Sequence, residues 1–439
     1  MPTNDPLTDH LAAALDAAEP APLCVAFSGG PDSTALLHAL SRLDAARVHG
    51  LRALHVDHGL HADSATWAAR CAHRAQALDV PLAVVRVEVS ASAGGLEGAA
   101  REARYAAAEA HLEPGERLVV AHHRDDQAET FLLRALRGSG PDGLAGMRPL
   151  RPLGRGWLWR PLLDVPREVL IDHVVRHGLP VVEDPANTDL RHDRSRLRSA
   201  VMPLLRARWP DAAASLARSA TLCAEAAGLL AREDAGALAQ VQGLDPATLD
   251  VPGLLRLPPA RRARVVRHWV AACGLPPLPA SGSAAVEALL TVRRDAQAQF
   301  RWCGAAITRW RTLLHAAPLR DALPAGLDLA WDGASPLPLP GGGLLLLEAV
   351  AGAAPAHAPA AAFRVRARRG GERMRLPGRA HSHALKHLLQ DAAVPPWERA
   401  RLPLLFADDG ELLAAGDLLV SARLQAWLEV RGQRLVWQT

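Results

Sequence analysis

Six consecutive residues, Ser28-Gly29-Gly30-Pro31-Asp32-Ser33, set two hydroxyls, two glycines and a carboxylate between a short apolar run (Leu23 to Phe27) and a stretch where Leu36, Leu37 and Leu40 recur at helical spacing. A strand, a tight loop and a helix in that order suit an anion such as phosphate. The glycines let the backbone approach it, Pro31 fits the first helical position, and the free N–H groups of the helix start carry the positive end of its dipole. A second cluster, His122-His123-Arg124-Asp125-Asp126-Gln127-Ala128-Glu129-Thr130, opens another helix and puts Asp126 and Glu129 on one face. Carboxylates near a phosphate site can hold magnesium or a cationic substrate. The same pair would also serve as ordinary acidic residues of a helix start. A third cluster is Asp57-His58-Gly59-Leu60.

Two commoner phosphate loops are excluded. A P-loop NTPase needs a lysine on its phosphates, and the chain has a single lysine, Lys386, in another context. The glycines at 138, 140 and 143 have dinucleotide-loop spacing but follow a helical stretch instead of a strand, so that stretch reads as a loop. His55, His58, His61, His122 and His123 invite a transition-metal reading, yet they fall on loops without supporting cysteines, so residues lining or flanking a nucleotide pocket are the preferred reading.

The elements that must position these clusters alternate. Strands are expected at 23–27, 51–56, 81–89, 118–121 and 157–163, and helices at 32–46, 63–78, 96–111, 125–137 and 166–177. That order predicts an α/β fold with a doubly wound parallel sheet, whose ligands sit outside the C-terminal strand ends. The 439 residues exceed a single typical core. We expect an α/β domain over 1–215, a helical domain over 216–320, a Pro/Gly/Ala-rich linker over 321–360 with some strand near 344–350, and a small α+β C-terminal domain over 361–439. Helices are expected to continue to about Leu314.

With 49% hydrophobic and 22% charged residues the chain reads as soluble and globular. The formal charge is only +4, but arginine is clustered: six against one aspartate in 191–208 and seven against one glutamate in 364–379. Phosphate-rich partners fit such runs. The five cysteines form no CxxC pair, the N-terminus lacks the pattern of a signal peptide, and no uncharged apolar run is long enough for a bilayer, so a reduced cytoplasmic protein without membrane contact is expected.

The glycine loop after a strand resembles the signature of the PP-loop ATP pyrophosphatases, which split ATP into AMP and pyrophosphate. More specifically, the chain resembles the tRNA(Ile)-lysidine synthases within that superfamily. The resemblance rests on HVDHGL (55–60), EGAAREARY (97–105), AHHRDDQAET (121–130), RGSGPDGLAGM (137–147), RPLL (160–163), EDPANTD (183–189) and RLR (196–198). In the C-terminal region RRGGERMRLPG and LKHLLQDAAVPPWERARLPLLF, ending at Phe406, also match, so the likeness runs along essentially the full length.

The resemblance implies a reaction: ATP adenylates the C2 oxygen of the first anticodon cytidine of tRNA(Ile) with a CAU anticodon, and the side-chain amine of free L-lysine displaces AMP. The resulting lysidine reads AUA instead of AUG. It also implies roles. Ser28, Gly29, Gly30, Pro31 and Ser33, with Asp57 and His58, would bind ATP, and Asp32 would hold Mg2+ on the leaving pyrophosphate. Asp126 and Glu129 would receive the lysine ammonium, while Arg101 and Arg104 would lie against developing negative charge. Asn187, Arg194, Arg198, Arg366, Arg368 and Arg369 would contact tRNA, residues 1–215 would be the ATP-binding catalytic domain, and 216–320 and 361–439 would bind tRNA. A homodimer is compatible with the family. The chain departs from the family at Ser195, where asparagine usually follows the arginine. The rival readings are a PP-loop tRNA thiolase, for which the cysteines lack suitable spacing, and a non-catalytic RNA- or nucleotide-binding protein.

Overall fold

The apolar run ahead of the glycine loop forms β1 (Leu23–Ala26), the centre of a six-stranded sheet in the computed structural model. The structure describes residues 5–89, 95–182, 191–292, 298–350 and 362–438, with the backbone alone at 95–97. Contacts divide the chain into two units, Met1–Ala231 and Arg232–Thr439.

In the first unit α1 (Pro6–Asp16) precedes β1, and α2 (Pro31–Ser41), α3 (Asp44–Val48), β2 (Leu51–Asp57), α4 (Ser64–Ala77), β3 (Leu82–Arg86), α5 (Gly95–His111) and β4 (Arg117–Val119) follow. Next come α6 (Arg124–Leu136), α7 (Pro141–Leu144), β5 (Leu150–Leu153), β6 (Gly156–Trp159) and α8 (Arg167–Arg176). The unit ends with α9 (Asp193–Arg196), a π-helical turn (Leu197–Val201), α10 (Met202–Arg208) and much of α11 (Ala212–Val241). The helix expected over 32–46 breaks because Leu43 turns to an extended conformation and packs onto the core.

Strand order is β3-β2-β1-β4-β6-β5, parallel throughout except for the β5–β6 hairpin. Alternation along β1 covers both faces. Leu23, Val25 and Phe27 join the leucines of α1, α2 and α8, while Cys24 joins Leu54, Leu118, Leu158, Ala108 of α5 and Leu112 just beyond that helix. The chain steps outward from β1 to β3 and then returns to β4 on the other side, so the order reverses between β1 and β4. Their C-terminal ends release the glycine loop and the His122–Thr130 segment side by side, at the switch point where doubly wound sheets bind ligands.

The second unit begins with an antiparallel sheet built from β7 (Thr248–Asp250), β8 (Gln299–Trp302), β9 (Ala305–Trp310) and β10 (Leu313–Pro318), in the order β7-β10-β9-β8. Around it pack α12 (Val251–Arg256), α13 (Pro259–Ala272) and α14 (Gly282–Thr291), with Trp269 fully buried. Helices were expected up to Leu314. Residues 299–318 are strands instead, joined by tight turns in which Cys303, Gly304 and Arg311 take positive φ. Beyond it β11 (Asp328–Trp331), β12 (Leu337–Pro338), β13 (Leu344–Ala349) and β14 (Phe363–Arg366) are strands, followed by β15 (Arg373–Met374) and β16 (His383–Ala384), α15 (Leu385–Asp391), α16 (Pro396–Arg399), β17 (Leu404–Ala407), β18 (Leu412–Ala415), β19 (Leu419–Val420), α17 (Ala422–Arg431) and β20 (Gln433–Gln438). β11 pairs with β14 and β13 with β20, so the proline- and glycine-rich stretch supplies strands to the C-terminal sheets. Among the described residues no helix is long and apolar enough to cross a membrane.

Candidate active site

The glycine loop is fixed by its own hydrogen bonds. Gly29 adopts φ +81, and a Cβ there would come within 2.7 Å of Cys71 Sγ, so both backbone and space require glycine. The Gly29 carbonyl accepts from the Val182 N–H at 2.9 Å and from Thr34 Oγ1 at 3.1 Å. Ser28 Oγ lies 3.0 Å from Ser33 Oγ, and Ser33 Oγ donates to the Gly30 carbonyl at 3.1 Å. Gly30 is the extended N-cap of α2 and Pro31 its first residue. Asp57, at the end of the neighbouring β2, accepts from the Gly59 N–H at 2.9 Å. Burial pushes its pKa up, but that N–H, the Ser64 hydroxyl and Arg86 outweigh burial and leave it lowered. His58 follows it, half-buried.

Asp32 is three-quarters buried, with Arg167 Nε 3.4 Å from Oδ1 and His123 Nε2 3.8 Å from Oδ2. His123 is fully buried, and the same Nε2 lies 3.4 Å from Asp126 Oδ2, with Nδ1 3.7 Å from Asp125. One imidazole therefore bridges the glycine loop and the acidic start of α6. Burial disfavours its charged form, yet Asp32, Asp126 and Asp125 outweigh burial and leave its pKa raised.

His123 and Asp126 form a reciprocal cap: Asp126 Oδ2 accepts from the His123 N–H at 3.1 Å and His123 Nδ1 from the Asp126 N–H at 3.4 Å. The other Asp126 oxygen accepts from Arg198 Nη2 at 2.8 Å. Arg198 also donates to both oxygens of Glu129, at 2.8 and 3.1 Å. Asp126 and Glu129 thus share a face and a single guanidinium, carried on the π-helical turn. Burial raises the pKa of Glu129 in spite of Arg198. For Asp126, burial is outweighed by His123, His122 and Arg198, and its pKa is lowered. Asp125 is gripped separately, by Arg206 and by the Arg167 N–H.

Of the other expected site residues, Arg194 donates to Thr130 Oγ1 at 3.1 Å on α6. Arg101 is half-buried over the Tyr105 ring, and its charge acts on His122 and Arg160. Arg104 is exposed on α5. In the second unit Arg366 Nε lies 3.2 Å from Asp328 and Arg368 Nε 3.7 Å from Glu372, whereas Arg369 is exposed. Asn187 lies outside the described residues. The sequence reading gave no individual role to His123, Arg167 or Arg206, whose partners lie far off along the chain or are visible only in the fold.

The sulfur-transfer reading finds no support in the cysteines. All five are free. Cys24 and Cys71 are buried among apolar side chains, which pushes their pKa values up to about 12 and about 11, the opposite of an activated thiol.

Comparison with known proteins agrees with this architecture. Residues 4–205 match the PP-loop domain, 249–315 the TilS substrate binding domain and 363–437 the TilS substrate C-terminal domain. The tRNA(Ile)-lysidine synthase of Xanthomonas campestris pv. campestris is 51% identical over 97% of either chain, and that of Xylella fastidiosa strain Temecula1 50% identical over 95% of either. The synthase of Serratia proteamaculans is 40% identical over 95% of either chain. A solved TilS C-terminal domain is 27% identical over 26% of this chain and 97% of that one, at a TM-score of 0.20, which by itself carries no argument. With a PP-loop domain, matches to both substrate domains and relatives half-identical over 95–97% of its length, the chain belongs to the tRNA(Ile)-lysidine synthase family of enzymes.

Proposed function

We propose that this enzyme adenylates the first anticodon cytidine of tRNA(Ile) at C2 and replaces the adenylate with lysine, converting a CAU anticodon from AUG to AUA reading. The observation that carries the reading is the bridge at His123: a phosphate-type loop with its carboxylate Asp32 on one side of a single buried ring, and the carboxylates Asp126 and Glu129 on the other.

The cytidine C2 oxygen attacks the α-phosphate of ATP, and the bond to pyrophosphate breaks. Ser28, Ser33 and the N–H groups at the start of α2 hold the leaving oxygens. Asp32 would hold Mg2+ together with phosphate oxygens, a donor set that suits this ion, and the ion would offset charge on the leaving group. Arg101 would add to that field.

Free lysine then binds with its ammonium on Asp126 and Glu129, taking the place of Arg198, which moves toward the RNA phosphates. Before attack the ammonium must lose a proton, and Glu129, with its pKa raised by burial, suits that acceptor. The amine attacks C2, AMP leaves, and lysidine remains. Arg194 and Arg198 contact the anticodon end of the tRNA, and Arg366, Arg368 and Arg369 its body.

Incubating the protein with ATP, labelled lysine and a tRNA(Ile) transcript tests this. Lysine should enter the RNA, with AMP formed only when tRNA is present. Incorporation of sulfur without lysine would replace the reading with the thiolase one, and RNA binding without AMP formation would reduce it to a binding protein.

A further inference from the structure

α2 and α8 lie together, with Asp32 and Arg167 facing each other at their starts. Six residues on along each helix, about 9 Å at 1.5 Å per residue, His38 and His173 face each other too. His38 Nδ1 and His173 Nε2 are 2.8 Å apart. His177, the C-cap of α8, closes a triangle in which one nitrogen from each ring lies within 4.8 Å of the other two. The second nitrogen of His173 meets Asp5 Oδ1 at 3.1 Å, and Asp5 is itself fixed by Thr8 Oγ1 at 2.5 Å.

We propose that His38, His173 and His177 form a binding site for one divalent transition-metal ion of the zinc class, separate from the ATP site. Imidazole nitrogens are the donors such ions choose, and a carboxylate behind one ring is the usual outer partner that fixes its tautomer and strengthens it as a ligand. His173 Nδ1 against Asp5 has that arrangement. The site lies at the C-terminal ends of α2 and α8, where the helix dipoles favour a cation.

His173 is 1% exposed and His38 9%, so both rings are shielded from water. With the Nδ1 hydrogen of His173 on Asp5, the 2.8 Å contact between His38 Nδ1 and His173 Nε2 holds the hydrogen of His38, which passes to His38 Nε2 when the ion takes its place. His177 Nε2 is buried without a hydrogen bond, while its side chain keeps a quarter of its surface, which leaves an entry path. It is also the ring with most freedom to swing in, and the three nitrogens, which lie within 4.8 Å of one another with the His38–His173 pair at 2.8 Å, would adjust to the roughly 3.3 Å separations that bonds of about 2.0–2.1 Å require. The facing charges are Asp5, whose carboxylate attracts the ion, Arg176, whose Nη1 stands 3.9 Å from Asp5 and competes for it, and Arg42, whose charge reaches His38 and opposes the ion. The ion would tie the far ends of α2 and α8 and so hold in register the two helices that start at Asp32 and Arg167.

The test uses full-length, tag-free protein stripped with a chelator and titrated with Co2+, then with Zn2+ in competition. One ion per chain should bind, with a cobalt spectrum of nitrogen and oxygen ligands. Asp5→Asn should weaken binding about 10- to 100-fold, and His177→Ala at least as much. Asp32→Ala should bind Zn2+ like the wild type. X-ray absorption of the wild-type zinc form keeps the test independent of how the variants fold, and should show imidazole scattering with about three nitrogens. No stoichiometric binding, thiolate-to-cobalt charge-transfer bands, an unchanged affinity in a folded His177→Ala, or a spectrum without imidazoles would each overturn the proposal.

Discussion

Replacing Asp126 with asparagine separates the two jobs that this side chain can do. Its Oδ2 caps α6 through the His123 N–H, and its Oδ1 faces the cation site now held by Arg198. Asparagine keeps an oxygen for the cap, so the loss of about 1 kcal/mol expected on removing a cap is largely avoided. What it removes is the charge. A hydrogen bond to a charged group contributes about 1.5–3 kcal/mol, and Glu129 still offers one carboxylate, so the lysine requirement should rise about ten- to a hundred-fold. The ATP requirement should change far less, because Asp126 reaches the loop indirectly, through His123 and through the charge of Arg198. The assay is labelled-lysine incorporation into tRNA transcript, with lysine varied at saturating ATP and then the reverse, alongside thermal unfolding. Equal increases for both substrates would refute the lysine role and point to magnesium binding. A large drop in melting temperature with unchanged lysine dependence would leave only the cap.

Asp32→Ala should lower adenylation about 100-fold or more while tRNA affinity stays within a few-fold, measured by AMP release and filter binding; normal turnover at saturating ATP would remove Asp32 from the site. Gly29→Ala should abolish ATP binding and lower stability by about 1–3 kcal/mol, since a Cβ meets Cys71 Sγ and φ +81 is strained; calorimetry showing wild-type ATP affinity would contradict this. Alanine at Arg366, Arg368 and Arg369 together should flatten the slope of log tRNA affinity against log salt by about 0.7–0.9 per phosphate contact. Arg369 is free to give its share, whereas Arg366 and Arg368 must leave Asp328 and Glu372, so a loss near one unit means they stay and no loss means a solvated surface. His122 sets an acid limit. Burial, with Arg160, Arg101 and Arg194 adding and Asp126 opposing, pulls its pKa down to about 3, so the folded state binds fewer protons than the unfolded one between about pH 6.5 and 3. That stability is fully present above pH 6.5 and is lost as pH falls toward 3, on the order of 5 kcal/mol; in His122→Gln the urea midpoint should fall less steeply over that window.

The parts of the site that the sequence makes legible are local. Strand, glycine loop and helix succeed one another within eighteen residues, and Asp126 and Glu129 share a face because they stand three apart on α6. The partners of those carboxylates are not local. Arg198 lies 69 residues beyond Glu129, and its membership of an arginine run suggested RNA, whereas in the fold it neutralises two buried acids. An acid-rich helix start in the same domain as a basic run of opposite charge was the available clue. His123 stood in a quoted motif, but its full burial between Asp32 and Asp126 depends on β1 and β4 being neighbours, which strand order alone decides. In 299–318 the alternating apolar residues are interrupted every few positions, and the turns at Cys303-Gly304 and Arg311 that make hairpins of them rest on positive φ at two residues other than glycine.

The single ring between Asp32 and Asp126 makes the two halves of the site thermodynamically interdependent. His123 Nδ1 accepts from the Asp126 N–H, so the one hydrogen of the ring sits on Nε2, between Asp32 and Asp126. That hydrogen cannot serve both carboxylates at once. A cation arriving at either turns it toward the other, where it must be given up when a second cation comes, so the ring adds to the direct repulsion between a metal-bound nucleotide and an amine held side by side. Reciprocity requires the same penalty in either order of addition. Calorimetric titration of each ligand with and without the other would read that penalty, and an unchanged penalty in a folded His123→Ala would break the link.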